Sequence, residues 1–327
     1  MNKKIMFLAL CSLLLAPCSA VDAQQKDKVF RIGFLDPSNA SGSAVLVDVF
    51  RQELSKLGWI EGKNITIEYR FREQRTEGLS ELAAELVRLS VDLIVTTGDG
   101  PTLAAKKATT IIPIVMTTSS DPVAQGFVAS LARPGGNVTG LSSLGADLNT
   151  KRLEILKDAI PKLARVAVLQ SPGVTADLQL KELRPAAVAL KLSLEEIETQ
   201  ADAKSLESAF QIAKQKQVNA IMTVAIRSFQ AERKRIVELA GKYRLPAIYF
   251  DKGFVDEGGL MSYGVDYEDL FRRAAGYVDK ILKGTKPADL PVQQATKFEF
   301  VINLKAAKQI GITIPLGLLE RANRVIK

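Results

Sequence analysis

The chain has 327 residues, a net charge of +8, two cysteines and no histidine. The absence of histidine excludes serine–histidine triads, histidine proton relays and histidine-based zinc sites. Basic and acidic residues alternate along the chain without a basic stripe or a nucleic-acid-reading motif, so we expect no nucleic-acid partner.

The first 23 residues have the order of a secretory signal peptide. Two lysines precede an apolar run from Ile5 to Ala16, and small residues follow it. The run has roughly 12 residues, fewer than the ~20 that a membrane-spanning helix needs. We therefore expect cleavage after Ala23 and export to the periplasm. Lipidation of Cys18 is the alternative, which Pro17 disfavours. Both cysteines lie in this leader, so we expect no disulfide in the mature chain.

Strands and helices are predicted to alternate through the first half of the mature chain, because apolar residues recur there with periods of two and of 3.6 residues. The predicted strands are 29–35, 64–70, 92–96 and 112–116, and the predicted helices are 43–57, 79–89 and one that begins near residue 98. After the fourth strand, Asp121-Pro122 is predicted to open a short helix that ends at 133–136.

The same alternation starts again after Ser143. The predicted strands are 165–169, 192–197, 220–224, 246–250 and 260–263, and the predicted helices include 149–159, 204–214 and 229–243. Strands separated by helices indicate parallel sheets with right-handed crossovers. Two such units in tandem predict an α/β protein of two Rossmann-like lobes, with crossings near 137–143 and 257–264.

Polar residues follow the predicted strands at their carboxyl ends, where open parallel sheets bind ligands. Several also lie at helix N-termini, whose free N–H groups attract carboxylates, so we expect a carboxylate-bearing ligand. Asp99 or Asp251 would meet an ammonium group, and Arg227 would hold a second acidic group. The alternatives are helix caps for the hydroxyl and carboxylate residues and a surface ion pair for Arg227. The candidate ligand-binding residues are Ser38, Asn39, Thr97, Gly98, Asp99, Ser119, Ser120, Ser171, Arg227 and Asp251.

Sequence motifs of the common hydrolases, metalloproteases and nucleotide-binding enzymes do not occur in the chain. We therefore expect no catalytic residues, no cofactor and no metal site. An exported α/β enzyme remains the disfavoured alternative, because the mature chain lacks both histidine and cysteine.

Several stretches in order along the chain resemble the substrate-binding proteins of ABC importers, in the family that includes tryptophan- and aromatic-amino-acid-binding members. The resemblance covers nearly the whole mature chain. It is carried by LGWIEGKNITIEYRF (57–71), AAKKATTIIPIVM (104–116), DPVAQGFVASLARPGGNVTGLSS (121–143), LPAIY (245–249), GGLMSYGVDY (258–267), VDKILKGTKPADLPV and FVINLKAAKQIGITIP.

The resemblance implies the type I periplasmic binding fold with a three-segment hinge. Lobe I would comprise residues 28–140 and 264–290, and lobe II residues 141–263 and 291–327. It also implies a monomer that closes on a small organic solute, such as an amino acid or aromatic acid, and docks with an ABC permease. A sensory protein that presents its ligand to a receptor is the alternative function.

The resemblance places ligand contacts at Ser38, 97–99, Ser119, Ser120 and Arg227. The sequence departs from the family pattern in the loop DPSNASG after the first strand. The single tryptophan, Trp59, lies in a GW motif and not at a strand end. An aromatic platform would therefore have to come from Phe229 or Phe250.

Overall fold

The computed structural model describes residues 28–72, 78–171, 177 and 179–327. The predicted leader, its cleavage site and Cys18 lie outside these residues. Within them, no helix combines the length and the apolar character needed to cross a bilayer.

The first sheet belongs to lobe I and consists of parallel strands in the order β11-β5-β4-β3-β1-β2. Alternate residues point to opposite faces. Phe34 therefore packs against helices α1 and α10, and Leu35 against α2 and α3. The elements are β1 (Phe30–Asp36), α1 (Ala40–Lys56), β2 (Ile65–Phe71), α2 (Leu79–Arg88), β3 (Leu93–Thr97), α3 (Asp99–Ala108), β4 (Ile114–Ser119), β5 (Val138–Ser142), α10 (Tyr267–Leu282) and β11 (Gln293–Gln294).

The second sheet belongs to lobe II and has the order β13-β12-β10-β9-β8-β6-β7. Its described strands are parallel except where β10 meets β12. Helices cover both faces, as the buried strands require. The strands are β6 (Arg165–Gln170), β7 (Ser193–Glu198), β8 (Ala220–Thr223), β9 (Ala247–Tyr249), β10 (Met261–Val265), β12 (Phe298–Asn303) and β13 (Arg324–Ile326). The helices are α4 (Gly145–Ala159), α5 (Leu183–Ala189), α6 (Ala203–Gln215), α7 (Arg227–Ala231), α8 (Arg233–Lys242), α9 (Lys252–Asp256), α11 (Leu304–Ile310) and α12 (Leu316–Arg321).

The chain crosses between the sheets three times, which confirms the two-lobed α/β fold. The crossings connect β5 to α4, β10 to α10, and β11 to β12. The strands that precede the crossings end a few residues beyond the lobe boundaries expected from the sequence, so each crossing comes slightly later in the chain. The third crossing, for example, follows Gln294, because β11 pairs with β5 of the first sheet.

Two predicted helices differ from the structure. The segment after β4 forms turns, because the Asp121 carboxylate accepts hydrogen bonds from the N–H groups of Val123 and Ala124, and Gly126 has a left-handed φ of 68°. Asp121 therefore begins a turn, and the prediction of a helix that opens at Asp121-Pro122 is wrong. The predicted helix at 229–243 is two helices, α7 and α8, separated at Glu232, whose φ of −95° and ψ of 16° are not helical.

Candidate functional site

A cavity of about 140 Å³ lies between the carboxyl ends of the two sheets. The lobes contact each other beside it, since Arg227 Nη2 of lobe II lies 3.4 Å from Asp36 Oδ2 of lobe I, so they are closed on each other here. Both lobes contribute to its wall, and the polar or aromatic residues in it include Thr97, Asp99, Thr118, Ser120, Ser143, Ser171, Gln179, Arg227, Ser228, Phe250 and Tyr267.

The wall from lobe I is organised around Asp99, the first residue of α3. Its carboxylate accepts hydrogen bonds from Ser119 Oγ at 2.7 Å, from Ser120 N at 3.0 Å, from Ser120 Oγ and from Gln125 Nε2 at 3.3 Å. Burial raises the pKa of Asp99, and the donated hydrogen bonds oppose that rise. Because these donors all come from its own lobe, Asp99 is held in place before any ligand arrives.

Gly98 precedes Asp99 and has a φ of 92°, a conformation that glycine adopts without strain. A Cβ atom at this position would lie 3.7 Å from Arg227 Cγ of lobe II. The turn into α3 therefore brings the backbone of lobe I close to the arginine of lobe II.

The loop after β1 is built on Asp36, which is fully buried. Its carboxylate accepts hydrogen bonds from Ser38 N at 2.8 Å, from Ser38 Oγ and from Ser43 Oγ at 2.9 Å. Asn39 caps α1, because its Oδ1 accepts from Gly42 N at 2.7 Å. The structure thus gives Ser38 and Asn39 local partners within lobe I.

The wall from lobe II is dominated by Arg227, the first residue of α7. Its Nη2 lies 3.4 Å from Asp36 Oδ2 and 3.1 Å from Ser43 Oγ, both in lobe I. Its Nη1 donates to Gln230 Oε1. Arg227 thus belongs to a buried pair that joins the two lobes, and not to the surface ion pair that was the alternative.

Three polar atoms of cavity-lining residues are buried without a hydrogen-bond partner among the described residues. They are Thr97 Oγ1, Gln179 Oε1 and Arg227 Nε. Buried polar groups in proteins are nearly always paired, and an unpaired one carries a desolvation cost. These atoms belong to residues that line one cavity, which makes that cavity the candidate site for a polar ligand.

Of the aromatic residues considered from the sequence as a platform for the ligand, one lines the cavity and the others do not. Phe250 lines the cavity together with Tyr267, a residue that the sequence reasoning did not single out. Phe229 is fully buried in the core of lobe II instead, and Trp59 Nε1 donates to Asp279 Oδ1 away from the cavity. Burial raises the pKa of the Tyr267 hydroxyl, which is thus neutral at physiological pH.

Asp251 does not reach the cavity wall. It caps α9 by accepting from Gly253 N at 2.9 Å, and burial raises the pKa of its carboxyl. The neighbouring Phe250 occupies the wall in its place. Asp251 therefore fits the cap alternative better than contact with a ligand ammonium.

A larger groove of about 800 Å³ lies at the mouth of the cavity. It shares Pro37, Arg72, Ser171 and Ser228 with the cavity, and its other lining residues include Ser38 and Asn39. Of the candidates from the sequence, the structure brings Thr97, Gly98, Asp99, Ser120, Ser171 and Arg227 together in the cavity. Ser119 supports Asp99 from behind this group.

Three residues near the ligand cavity lacked a distinguishing signal in the sequence. Asp36 was visible as part of a polar strand end, but nothing marked its partner in the other lobe. Gln179 lies shortly before helix α5 and does not directly follow a described strand. Tyr267 follows the end of β10 by two residues, but it is not one of the small polar residues that marked the other strand ends. Within the described residues, no group of three or more cysteine, aspartate or glutamate side chains could hold a metal ion.

A family model described as "ABC transporter substrate binding protein" matches residues 39–326 of the chain. Among curated proteins, the chain is similar to the tyrosine-binding protein of Clostridioides difficile strain R20291. The two are 28% identical over 265 residues, which cover 80% of this chain and 75% of that protein.

Two solved structures are equally similar to the chain in sequence, at 25% identity. The ABC domain of Streptococcus pneumoniae in complex with L-Trp has a TM-score of 0.80, with 91% of this chain and 99% of that chain covered. A ligand-free, open substrate-binding protein from Clostridium difficile has a TM-score of 0.61, with 91% and 100% covered. The lobes are thus arranged more as in the L-Trp complex. More distant solute-binding proteins share the fold alone.

Proposed function

Because the chain belongs to the family of ABC transporter substrate-binding proteins, we propose that it captures an aromatic amino acid between its lobes and delivers it to a membrane permease. The family is one of solute-binding proteins, which confirms the expectation that the chain is not an enzyme. Its members act outside the cytoplasmic membrane. We infer export through the signal peptide at residues 1–23 and action as a monomer in the periplasm.

The interlobe cavity is the observation that carries this proposal. It combines two aromatic rings, Phe250 and Tyr267, with three polar atoms that have no partner among the described residues. Rings of this kind pack against an aromatic side chain, while the polar atoms suit the amino and carboxylate groups of an amino acid. The named ligands of the relatives, tyrosine and L-Trp, belong to the same class.

The contacts proposed for the ligand follow from the two walls of the cavity. Arg227 Nε donates to the ligand carboxylate, and Thr97 Oγ1 and Gln179 Oε1 accept from its ammonium group. Gly98, Asp99, Ser120 and Ser171 complete the surface around it. Ser38 and Asn39 line the groove through which the ligand enters. Ser119 holds Asp99 in place, and Asp251 caps the helix that follows Phe250.

Binding is tested by calorimetry and thermal unfolding of the mature protein with tyrosine, tryptophan and phenylalanine. Leucine, dicarboxylates and sugars serve as matched controls. At a ligand concentration of ~100 Kd we expect a stabilisation of about 2.7 kcal/mol, because the ligand binds only the folded state. Saturable binding of a sugar, with none of an aromatic amino acid, would contradict the proposed ligand class.

Transport is tested separately from binding. Cells that lack the gene should lose high-affinity uptake of the labelled amino acid, and the wild-type chain should restore it. Restoration by a chain without residues 1–23 would contradict export through the leader. Normal uptake together with loss of a cellular response to the amino acid would favour a sensory role.

A further inference from the structure

Asp36 is a buried carboxylate whose cationic partner lies in the other lobe. It ends β1 of lobe I, and Ser38 and Ser43 of the same lobe donate hydrogen bonds to it. Arg227 Nη2 approaches from lobe II to 3.4 Å, and the side chains of Asp36 and Arg227 are 0% and 4% exposed. A buried charge is costly unless it is paired and hydrogen-bonded.

Two of the three nitrogens of the Arg227 guanidinium have hydrogen-bond partners. Nη2 faces Asp36 and Ser43, and Nη1 donates to Gln230. The group lies 5.9 Å from the centre of the Phe271 ring in α10. Nε has no partner among the described residues, although it is buried in a residue that lines the cavity. Contacts from three helices, α1, α7 and α10, and from Asp36 thus fix the plane of the guanidinium.

The pair forms when the lobes close, because Asp36 belongs to lobe I and Arg227 to lobe II. Closure also brings α1 against α7, where a Cβ atom at Gly42 would lie 2.6 Å from Ala231 Cβ. Only a residue without a side chain allows the two helices to approach so closely. The interface around Asp36 and Arg227 is therefore built for close contact between the lobes.

We propose that Asp36 is a positioning residue: on closure its carboxylate holds the Arg227 guanidinium across the cleft and leaves Nε to bind the carboxylate of the ligand. This inference rests on the proposed function. It couples recognition of the acid group to closure, since the carboxylate receptor is complete only in the closed form. If the pair acted only as a latch, that is, if it only stabilised the closed state, it would favour closure on every ligand to the same extent.

The test compares a ligand that has a carboxylate with one that has a neutral amide in its place. L-Tyrosine and L-tyrosinamide, and L-tryptophan and L-tryptophanamide, are titrated into the wild type and into Asp36→Asn. The single amide oxygen of the variant can still accept hydrogen bonds from Ser38, and its NH2 group can donate to Ser43 Oγ. The variant lacks the charge that orients Arg227. We expect the Kd of the amino acid to rise by about 10- to 100-fold and that of its amide by less than about threefold.

A second variant keeps the inference testable if Asp36→Asn does not fold. Arg227→Lys retains a cation opposite Asp36 but removes Nε and the planar fork, so it should also lose the preference for acid over amide. Glu196→Gln is the matched control, because it breaks the exposed pair with Arg184 within lobe II. It should leave every Kd unchanged.

The outcomes separate the two proposals. An equal loss of affinity for acid and amide in both variants would overturn the positioning role and leave a latch. Unchanged affinities in both variants would overturn it as well. If the wild type binds neither amino acid, the proposed function fails, and the inference about Asp36 fails with it.

Discussion

The two walls of the cavity are stabilised in different ways. On the lobe I wall, Asp99 is surrounded by serine and glutamine donors from its own lobe. On the lobe II wall, Arg227 finds its anion in the other lobe, and Gln179 Oε1 has no partner among the described residues. One wall is therefore formed before closure, whereas the other is completed by closure and by the ligand.

Side-chain length explains the difference. Serine and aspartate on the lobe I wall are short and satisfy one another and the nearby backbone, whereas Thr97 Oγ1 has no partner among the described residues. The side chain of Arg227 is long enough to reach Asp36 of the other lobe. The short side chains therefore fix the shape of the lobe I wall, whereas the position of Arg227 depends on closure of the lobes.

The largest expected effect is on the rigidity of the lobe I wall. Gly140 of β5 has a φ of 128°, and a Cβ atom there would lie 2.2 Å from Met116 O of β4. Because backbone atoms cannot yield as a side chain can, Gly140→Ala should destabilise the protein by about 4 kcal/mol or more.

Urea unfolding of Gly140→Ala is compared with that of Gly136→Ala. A Cβ atom at Gly136 would meet nothing within 4 Å, so this control should remain within about 1 kcal/mol of the wild type. Equal stability of the two variants would mean that β4 and β5 can separate, and that the wall is not rigid.

A glutamine-to-methionine substitution on each wall sharpens the comparison. Gln179→Met removes a buried acceptor without a described partner and also the long hydrogen bond of 3.4 Å from Gln179 Nε2 to Ala225 O. Because that bond is weak, the ligand-free protein should be at least as stable as the wild type, and ligand binding should weaken about tenfold. Gln125→Met removes a donor to Asp99 and should lower stability. Denaturation and calorimetry measure both quantities. A loss of stability in Gln179→Met would show that this side chain belongs to the pre-formed part of the site.

The pH dependence of stability tests the burial of Asp99. Its pKa is raised above the ordinary value of 3.8, so the folded state binds more protons than the unfolded state between the two values. The free energy of unfolding therefore falls as pH rises through that window, and the penalty is complete above the raised pKa.

Asp99→Asn should lack this component when denaturation is repeated from pH 4 to pH 8. The slope due to Asp251, whose pKa is also raised by burial, should remain until Asp251→Asn removes it. A profile for Asp99→Asn that matches the wild type would show that its carboxylate is hydrated in solution.

The smallest expected effect on ligand affinity is that of a substitution in the outer groove. Asn39→Ala removes the cap of α1, so the free energy of unfolding should fall by ~1 kcal/mol. Ligand affinity should change by less than about twofold, because Asn39 lines the outer groove and not the cavity. A tenfold loss of affinity would instead place Asn39 in contact with the ligand.

Much of the fold could be predicted because each strand and helix buries particular faces. Apolar residues therefore recur with a period of two in half-buried strands and of 3.6 in helices, which a single sequence displays. The prediction for 121–133 was wrong because a carboxylate and a left-handed glycine, Gly126, favoured turns over a helix. The prediction for 229–243 missed the break at Glu232, which no glycine or proline marks.

The site could be predicted only as far as single strand ends show it. Thr97, Asp99 and Ser120 follow strands of one sheet and were found in that way. The pairing of Asp36 with Arg227 depends on how two separate lobes meet, and no local pattern encodes that distance. Tyr267 follows the end of β10 by two residues, so the rule for strand ends covers its position, but that rule was applied to polar residues and passed over an aromatic one.

The burial of Asp36 and Arg227 has a consequence for the ionic strength at which the protein works. Dissolved ions weaken exposed pairs over a Debye length of about 8 Å at physiological salt, but they cannot enter a closed interface. The exposed pair of Arg184 and Glu196 should thus fade as salt rises, while the attraction between the lobes persists. Closure should therefore remain equally strong in dilute and in salty surroundings.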